Sequence, residues 1–335
     1  MILKDEWKRK LVGRNISPEP PFPAKLKIDI CGCCNHGCVF CPNAIQKKNH
    51  GNIDDTLFRQ IITDAYTAGT RELSISGNGE ALLNLELEEY ISHAKIMGYE
   101  YVFINTNGVL LNKKRAQALL KSGLNSVKFS INAGDAATYC LIHGSDCFDK
   151  VIENIRTFDE QRILNGNNCR LYVSFVAIKE TLNQAKKLSA LISEHVDEIV
   201  VMHANTRGGT ISVEDSMLGN DSFSFPFPCG QLFDTATVLA EGYMVICCQD
   251  FNKLTVVADL NNMSITDAWN CEKFVNFRKK YLEEDFAGTL CNNCLFGGTD
   301  PVVPLTPDVA HYPLDEQKVE DREKRIAKLQ KDKAQ

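Results

Sequence analysis

The sequence has no large excess of charge of either sign. Its 335 residues include 37 lysines and arginines against 43 aspartates and glutamates, which gives a formal net charge of −6 at pH 7. Such a balance provides no general electrostatic attraction to nucleic acid or to an anionic membrane. We therefore expect a small-molecule substrate and no nucleic acid partner.

Long apolar runs are also missing. No uncharged stretch reaches the roughly 18–20 residues that a membrane-spanning helix requires. Residues 1–10 contain no apolar segment of signal-peptide length. We therefore expect no membrane association and a cytoplasmic protein.

Disulfides are not expected, although the chain has 14 cysteines. The cytosol keeps thiols reduced, so metal binding or catalysis explains the cysteines better. They form two groups, one between Cys31 and Cys41 and one between Cys229 and Cys294, with three cysteines between the groups. Cysteines scattered through a core would not be grouped in this way.

Short apolar runs alternate with longer amphipathic segments between residues 25 and 203. This alternation favours βα units around a parallel sheet, and so an α/β fold. The predicted strands are Leu26–Ile30, Glu72–Ser76, Tyr101–Asn105, Ser126–Ser130, Leu171–Val176 and Glu198–Met202. The predicted helices are Asp54–Ala68, Leu85–Met97, Lys113–Ser122, Cys147–Glu160 and Leu182–His195, with Asp54 or Asp55 as the first N-cap and Gly69, Gly98 and Gly123 at C-caps.

The length allows one large domain with a smaller one appended. We divide the chain into an N-terminal extension (1–24), a barrel domain (25–215), a cysteine-bearing unit (225–300) and a C-terminal tail (301–335). The segment that ends at Pro228 is rich in glycine, serine and proline, which indicates a linker. The tail is highly charged from Asp315 onward and predicts a solvated helix or a frayed end, without an assigned function.

Three cysteines follow the first predicted strand in a C-x3-C-x2-C spacing, namely Cys34, Cys38 and Cys41. Three thiolates this close together can bind three irons of a [4Fe–4S] cluster and leave the fourth iron without a protein ligand. A zinc site is the alternative, but zinc favours four ligands and would have to recruit Cys31 or Cys33. Ligands of α/β proteins collect at the C-terminal ends of the strands, where this triplet lies.

At these residues the chain resembles the radical S-adenosylmethionine (SAM) superfamily, in which such a triplet follows the first strand of a partial (β/α)6 barrel. The resemblance covers about residues 25–202. Residues 76–80, Ser-Gly-Asn-Gly-Glu, follow the second strand and are similar to the family's Gly-Gly-Glu motif, with Asn78 as a departure. The resemblance implies that Gly77, Gly79 and Glu80 meet the methionine amino group of SAM, since a buried acceptor suits an ammonium.

Further matching positions lie at the ends of the third and fourth strands. Asn105, and then Ser130 and Asn132, resemble the positions that shape the cofactor site and contact the ribose and carboxylate of SAM. Either segment alone is also ordinary turn chemistry. Phe40, beside the last cysteine of the triplet, would screen the cluster and pack on the adenine, or would simply be a core residue.

The resemblance implies a mechanism. SAM would chelate the open iron, one electron from the reduced cluster would break a C–S bond, and the resulting 5′-deoxyadenosyl radical would abstract hydrogen from an unactivated C–H bond. Iron–sulfur potentials span about −700 to +450 mV, and this cluster would have to lie near the low end. A flavodoxin or ferredoxin is the expected electron donor.

The second group of cysteines provides four further ligands, Cys229, Cys247, Cys291 and Cys294. Four thiolates can close a second [4Fe–4S] cluster completely or hold a zinc ion. The pattern Gly-x4-Cys-x2-Asp around Cys247, followed by C-x2-C, resembles the auxiliary-cluster extension of the SPASM/Twitch subgroup in its short, Twitch-like form. The resemblance implies two [4Fe–4S] clusters in all, and Cys248 is a rival ligand for Cys247.

A fully ligated auxiliary cluster can accept an electron but cannot bind substrate, which favours a dehydrogenase. By analogy with the single-cluster dehydrogenases of the subgroup, the substrate would be a secondary alcohol of a sugar or aminocyclitol-like molecule. A base or cation is then needed beside it. Arg207 is the candidate, with His203 as the alternative because histidine titrates near neutrality. Arg207 is otherwise an ordinary surface arginine.

Two other reactions stay open. A radical epimerase would need a thiol as hydrogen donor, for which Cys248 is the first candidate and Cys31 and Cys33 are others, unless Cys248 is a small core residue. A maturase of a ribosomal peptide often carries an N-terminal leader-binding domain, for which the residues before the first strand are too few, although a partner could supply it. A non-enzymatic iron–sulfur protein fits least well.

Overall fold

The computed structural model describes residues 15–48, 51–178, 181–211 and 227–334, without the side chains of residues 203, 333 and 334. Residues 212–226, which include most of the predicted linker and the boundary between residues 215 and 225, lie outside the described residues, as do residues 1–14 of the predicted N-terminal extension. Among the described helices, none is long and apolar enough to cross a membrane.

Six parallel strands alternate with helices in the first two thirds of the chain. The strands are β1 (Lys25–Ile28), β2 (Glu72–Ile75), β3 (Tyr101–Thr106), β4 (Ser126–Ser130), β5 (Arg170–Ala177) and β6 (Glu198–His203). The helices are α1 (Asp55–Thr67), α2 (Leu87–Met97), α3 (Lys113–Lys121), α4 (Ala136–His143), α5 (Phe148–Leu164) and α6 (Gln184–Ile192). Each strand pairs in parallel with its sequence neighbour, and the predicted α/β fold with a partial (β/α)6 barrel is confirmed.

Side-chain alternation along the strands sets which face meets the helices. In β3 every second residue is buried, and in β4 the buried Phe129 packs edge-to-face on Phe158 of α5, with ring centroids 6.4 Å apart. The apolar face therefore meets the helical layer, because successive side chains of a strand point to opposite sides. The other face lines the inside of the barrel and carries the polar residues.

Helix ends follow the expected capping chemistry. The Asp54 carboxylate accepts a hydrogen bond from the backbone N–H of Leu57 at 2.9 Å, which fixes Asp54 rather than Asp55 as the N-cap of α1. Gly98 ends α2 with φ of 106°, a left-handed conformation that favours glycine. Observed and predicted helices differ by a few residues at their ends.

One helix of the barrel domain was not predicted, and no helices were predicted in the cysteine-bearing unit. α4 is eight residues long, with Asp135 as its N-cap and Gly144 as its left-handed C-cap. The segment is largely apolar and has almost no amphipathic periodicity, so its sequence pattern does not indicate a surface helix. It carries His143 into the barrel domain.

The cysteine-bearing unit shares the sheet of the barrel. Its strands are β7 (Thr235–Val238), β8 (Tyr243–Val245) and β9 (Val256–Asp259), and its helices are α7 (Gln231–Asp234), α8 (Ile265–Trp269), α9 (Glu272–Leu282) and α10 (Leu290–Phe296). β7 pairs in parallel with β1, from Lys25↔Thr235 to Ile28↔Val238, and the nine-stranded sheet has the order β6-β5-β4-β3-β2-β1-β7-β8-β9. The C-terminal unit thus continues the barrel wall.

Both ends of the described chain pack on this body. The indole N–H of Trp269 donates to the carbonyls of Pro20 and Pro21, at 3.1 and 3.0 Å. The tail forms a helix, α11 (Glu316–Ala334). Its Leu329 is buried with residues of α4 and of the loop after β1 that contains Cys34, Cys38 and Cys41, which we call the cluster loop. Of the two alternatives, a solvated helix or a frayed end, the tail forms the helix. One face of this helix is packed against the protein rather than solvated.

Candidate active site

The first three candidate ligands lie in the loop after β1. Burial raises the pKa of Cys34 to about 12 and that of Cys38 well above its usual range, and neighbouring thiols of the triplet add to both shifts. Protons on such thiols are released when a metal binds. Soft thiolate donors in this spacing suit iron–sulfur chemistry.

Two buried polar side chains beside the triplet, His36 and Lys48, have no hydrogen-bond partner within the described residues. Neither ring nitrogen of His36 and no N–H of the Lys48 ammonium is hydrogen-bonded there. The Lys48 charge is attracted to Cys41 and Cys34, while burial lowers its pKa. Unpartnered buried polar groups are costly. An anionic cluster with its sulfides would satisfy them, so the site fits the cluster that the triplet implies.

The glycine motif after β2 packs directly on this loop. A Cβ at Gly79 would lie 1.8 Å from the carbonyl oxygen of Cys31, and one at Gly77 would lie 2.4 Å from the Cβ of Asp29. The backbone N–H of Glu80 donates to the Cys33 carbonyl at 2.8 Å. Only glycine allows this approach of the two backbones.

Asp29 was missed by the sequence analysis, although it directly follows β1 and lies two residues before Cys31. It is 4% exposed, and its carboxylate accepts hydrogen bonds from the backbone N–H groups of Asn78 at 2.9 Å and Cys31 at 3.3 Å. Burial raises its pKa to about 6. An acidic residue at the end of an otherwise buried strand was the available signal.

Glu80 is buried and held by the end of β3. Its carboxylate accepts hydrogen bonds from the Thr106 hydroxyl at 2.7 Å and from the backbone N–H groups of Asn107 at 2.7 Å and Leu82 at 3.1 Å. Burial raises its pKa. Glu80 therefore ties the motif loop to β3, and the expected contact with the SAM amino group stays a prediction.

Asn105, Ser130 and Asn132 lie at or just after the ends of β3 and β4. Their contact with SAM stays a prediction. The Asn105 amide donates to the Ser76 hydroxyl at 3.1 Å, and its carbonyl oxygen is buried without a partner among the described residues. The Ser130 hydroxyl lies 3.4 Å from that of Ser174. The side-chain amide oxygen of Asn132 accepts a 2.6 Å hydrogen bond from the backbone N–H of Val176.

His143 links this region to the cysteine loop. The backbone N–H of Asn132 donates to His143 Nε2 at 3.2 Å, so the ring proton lies on Nδ1, which is 3.2 Å from Cys38 Sγ. Burial lowers the pKa of His143 well below its usual value, and the ring is neutral. A neutral imidazole in this tautomer donates a hydrogen bond to the cysteine sulfur.

Phe40 is buried in an apolar cluster against which Cys38 of the triplet packs. It is 5% exposed, and the cluster includes Ile142, Ile178 and Leu329. This packing corresponds to the alternative role of a core residue. The predicted contact with adenine is not tested by it.

The second group of cysteines surrounds one cavity of about 110 Å³. Burial raises the pKa of Cys291 well above its usual range and that of Cys294 to about 12. Four sulfur donors around one cavity suit a fully ligated iron–sulfur cluster or zinc. The cavity is lined by the four predicted ligands and their rival, Cys229, Cys247, Cys291, Cys294 and Cys248.

Cys247 and Cys248 differ in their surroundings. The pKa of Cys247 is raised well above its usual range, because its thiol donates to Cys248 and because it is buried. The pKa of Cys248 is lowered, because it accepts that hydrogen bond and lies beside the cations of Lys27 and Arg207. Both thiols line the cavity, but Cys248 lies on its barrel side, beside Lys27 and Arg207, whereas the neighbours of Cys247 are other cysteine thiols.

The Gly-x4-Cys-x2-Asp pattern is explained by the turn around Cys247. The Asp250 carboxylate is fully buried and accepts hydrogen bonds from the backbone N–H groups of Asn252, Leu254 and Thr255. The Asp250 carbonyl in turn accepts from the Asn78 side-chain amide at 3.0 Å. Asn78, the departure from the family motif, thus connects the two halves of the molecule.

Arg207 lies between the two sites. Its Nη1 donates to the Gln249 side chain at 3.2 Å, its guanidinium lies 5.6 Å from the centroid of the Phe251 ring, and its Nε is buried without a partner among the described residues. It is not an ordinary surface arginine. His203 ends β6, and its side chain lies outside the described part of the chain.

Two family models match the chain, the Radical SAM superfamily at residues 28–192 and SPASM, an iron-sulfur cluster-binding domain, at residues 229–295. The S-adenosyl-L-methionine-dependent 2-deoxy-scyllo-inosamine dehydrogenase of Niallia circulans is 25% identical over 281 residues, which are 80% of this chain and 91% of that protein. A probable GTP 3′,8-cyclase of Saccharolobus solfataricus is 32% identical over 132 residues, which are 39% of this chain and 42% of that protein.

Solved structures share the fold. BtrN in complex with AdoMet and 2-DOIA matches with a TM-score of 0.56 at 20% identity, over 84% of this chain and 97% of BtrN. Streptococcus suis SuiB bound to its precursor peptide SuiA matches with a TM-score of 0.63 at 17% identity, over 81% of this chain and 69% of SuiB. The family models imply SAM and iron–sulfur clusters as cofactors. Each of the two matched regions contains one of the two cysteine groups. The chain belongs to the radical SAM superfamily, with a C-terminal SPASM iron–sulfur domain.

Proposed function

We propose that this radical SAM enzyme oxidises a secondary alcohol of a sugar or cyclitol-like small molecule. The observation that carries the proposal is the cavity lined by Cys229, Cys247, Cys291 and Cys294, with Cys248 as a fifth thiol, in a chain whose barrel also carries the cysteine triplet. When bound, SAM and a low-potential cluster supply a hydrogen-abstracting radical, and an auxiliary cluster supplies an electron acceptor. The similarity to an inosamine dehydrogenase supports the same reaction class.

The residues of the chain have separate roles in this proposal. Cys34, Cys38 and Cys41 hold the catalytic cluster, and the other four cysteines hold the auxiliary cluster. Gly77, Gly79, Glu80, Asn105, Ser130 and Asn132 form the SAM site at the ends of β2, β3 and β4. Arg207 contacts the substrate hydroxyl and stabilises negative charge on its oxygen when the proton leaves. His203 is the alternative for that position.

A radical epimerase is the second candidate, because Cys248 lines the auxiliary cavity on its barrel side. A thiol there could return a hydrogen atom to the substrate carbon. A peptide maturase is the third, supported by the shared fold with SuiB. A flavodoxin or ferredoxin is the proposed electron donor in each case.

Iron counting and SAM cleavage test the cofactors. Anaerobically reconstituted enzyme should hold about eight irons, and a double variant Cys291→Ala/Cys294→Ala about four. The reduced wild-type enzyme should release 5′-deoxyadenosine slowly from SAM alone. No release by enzyme with both clusters present would contradict the proposed function.

Product analysis distinguishes a dehydrogenase from an epimerase. The enzyme is incubated with a panel of sugars and cyclitols in deuterated water, and the products are analysed for ketone and for deuterium. A dehydrogenase gives a ketone without solvent deuterium at the oxidised carbon, and the Cys291→Ala/Cys294→Ala variant should lose ketone formation while still cleaving SAM. An epimerase instead gives one solvent deuterium at the inverted carbon and fails in Cys248→Ala. Deuterium incorporation with loss of activity in Cys248→Ala would therefore overturn the dehydrogenase proposal.

A further inference from the structure

Two lysines lie on the inner face of the barrel, where the sequence analysis assigned no role. Lys27 stands between the fully buried Leu26 and Ile28 of β1, and Lys128 between the fully buried Val127 and Phe129 of β4. Because those apolar neighbours face the helical layer, both lysines point to the inside of the barrel. A charged residue between two buried apolar residues of a strand was the signal in the sequence.

Arg207 adds a third cation from the loop after β6. Its φ of 50° lies in the left-handed region, and the two following residues, Gly208 and Gly209, have φ of 65° and 90°. A non-glycine residue in this region is strained and persists where the surrounding structure imposes it. The unpartnered, buried Nε of Arg207 points to a ligand that the protein itself does not supply.

Lys128 lies within electrostatic range of the other two cations. Burial lowers the pKa of Lys128, and the charges of Lys27 and Arg207 lower it further, while Cys248 opposes the shift. The nearby acceptors are already in use. Asp29 uses both carboxylate oxygens for backbone N–H groups, and the Cys248 sulfur, a hydrogen-bond partner of Lys27, also accepts from Cys247 and lies beside Arg207. No ion pair is formed by any of the three cations with a carboxylate of the described residues.

We propose that Lys27, Lys128 and Arg207 bind an anionic group of the substrate, a carboxylate or a phosphate, and that the Arg207 guanidinium uses its remaining N–H donors for the neighbouring hydroxyl. The inference rests on the proposed function and narrows its substrate to an acidic hydroxy compound. A guanidinium and two ammonium groups offer enough donors for three anionic oxygens. An amine-bearing cyclitol would meet three like charges here, so the substrate differs in charge from the aminocyclitols.

Calorimetric titration of the reconstituted holoenzyme with SAM bound tests the site, at constant ionic strength. Inorganic phosphate and malonate serve as separate probes for the phosphate and carboxylate sources. We expect saturable one-to-one binding of at least one probe, weakened about tenfold or more in Lys128→Gln and in Lys27→Gln. The tighter probe identifies the anionic group.

Lys25→Gln is the matched control, because Lys25 lies on the same strand but is exposed and pairs with Glu72 at 3.4 Å. It should bind the probe like the wild type. Absence of saturable binding, or equal binding by all variants, overturns the inference. Loss of four irons in the Lys27 or Lys128 variants also overturns it, since the cations would then serve the auxiliary cluster. Failure of wild-type SAM cleavage would instead count against the proposed function.

Discussion

At the residue scale, the main finding is how His143 meets Cys38. The backbone N–H of Asn132 fixes the ring tautomer, and the remaining N–H can only donate toward the cysteine sulfur, 3.2 Å away. Hydrogen bonds to cluster sulfurs stabilise the reduced, more negative state and raise the reduction potential. We therefore predict that His143, 105 residues from Cys38 in the chain, positions this thiolate and tunes the cluster that it would bind.

The prediction at this scale concerns the reduction potential. His143→Phe keeps a ring that can stack on Tyr139 but removes the N–H donor, so the potential of the catalytic cluster should fall by on the order of 50 mV. An electron paramagnetic resonance titration measures it. His93→Phe, a change on the outer helix α2, is the control and should leave the potential unchanged. An unchanged potential in His143→Phe would contradict the role.

The candidate ligands themselves could be predicted from the sequence, because Cys34, Cys38 and Cys41 are close in the chain and their spacing carries the chemistry. The contacts of Asp29, Lys128 and His143 could not, because each depends on strands or helices that are distant in sequence. The glycines are intermediate. Gly77 and Gly79 were recognised by their motif, but the close approach to Asp29 and Cys31 is visible only in the fold.

At the element scale, α11 changes the view of the C-terminal tail. The Arg325 guanidinium donates to the carbonyl of Gly37 at 2.7 Å and to those of Leu141 and Ile142 at 3.1 and 3.4 Å. Arg322 donates to the Val39 carbonyl at 2.6 Å. A highly charged sequence predicted a solvated segment, but its two arginines hold the cluster loop and α4 together.

The prediction for α11 is a loss of stability around the catalytic cluster. Arg325→Met removes hydrogen bonds of a charged group to half-buried carbonyls and should cost about 1–3 kcal/mol in the free energy of unfolding. Iron should also be lost faster in air, as followed by the bleaching of cluster absorbance. Lys328→Met, an exposed change on the same helix, controls for lost charge and should behave like the wild type. Equal iron loss in both variants would refute the role of α11.

At the scale of the whole molecule, the barrel and the SPASM domain form one sheet through β1 and β7. The sequence predicted a separate C-terminal unit, because its cysteines and turns give no sign of a strand that joins β1. The register from Lys25↔Thr235 to Ile28↔Val238 is a long-range pairing, which local patterns do not encode. The six barrel strands and their parallel sheet, by contrast, were predicted from the alternation of strands and helices.

We expect the two parts to unfold together. The shared sheet, the contacts of Trp269 with residues 20 and 21, and the Asn78–Asp250 hydrogen bond all cross between them. Calorimetry of the holoenzyme should therefore show a single transition. Asn78→Ala should lower its midpoint without splitting it. Two resolved transitions in the wild type would mean that the parts are independent.

The position of α11 also has a consequence for biosynthesis. A ribosome makes the chain from its N-terminus, and Gly37 is translated 288 residues before Arg325, the residue that binds its carbonyl. Domains generally fold in that order during synthesis. The loop with Cys34, Cys38 and Cys41 is therefore uncovered for most of translation, and an iron–sulfur carrier has access to its thiols before the helix closes over them.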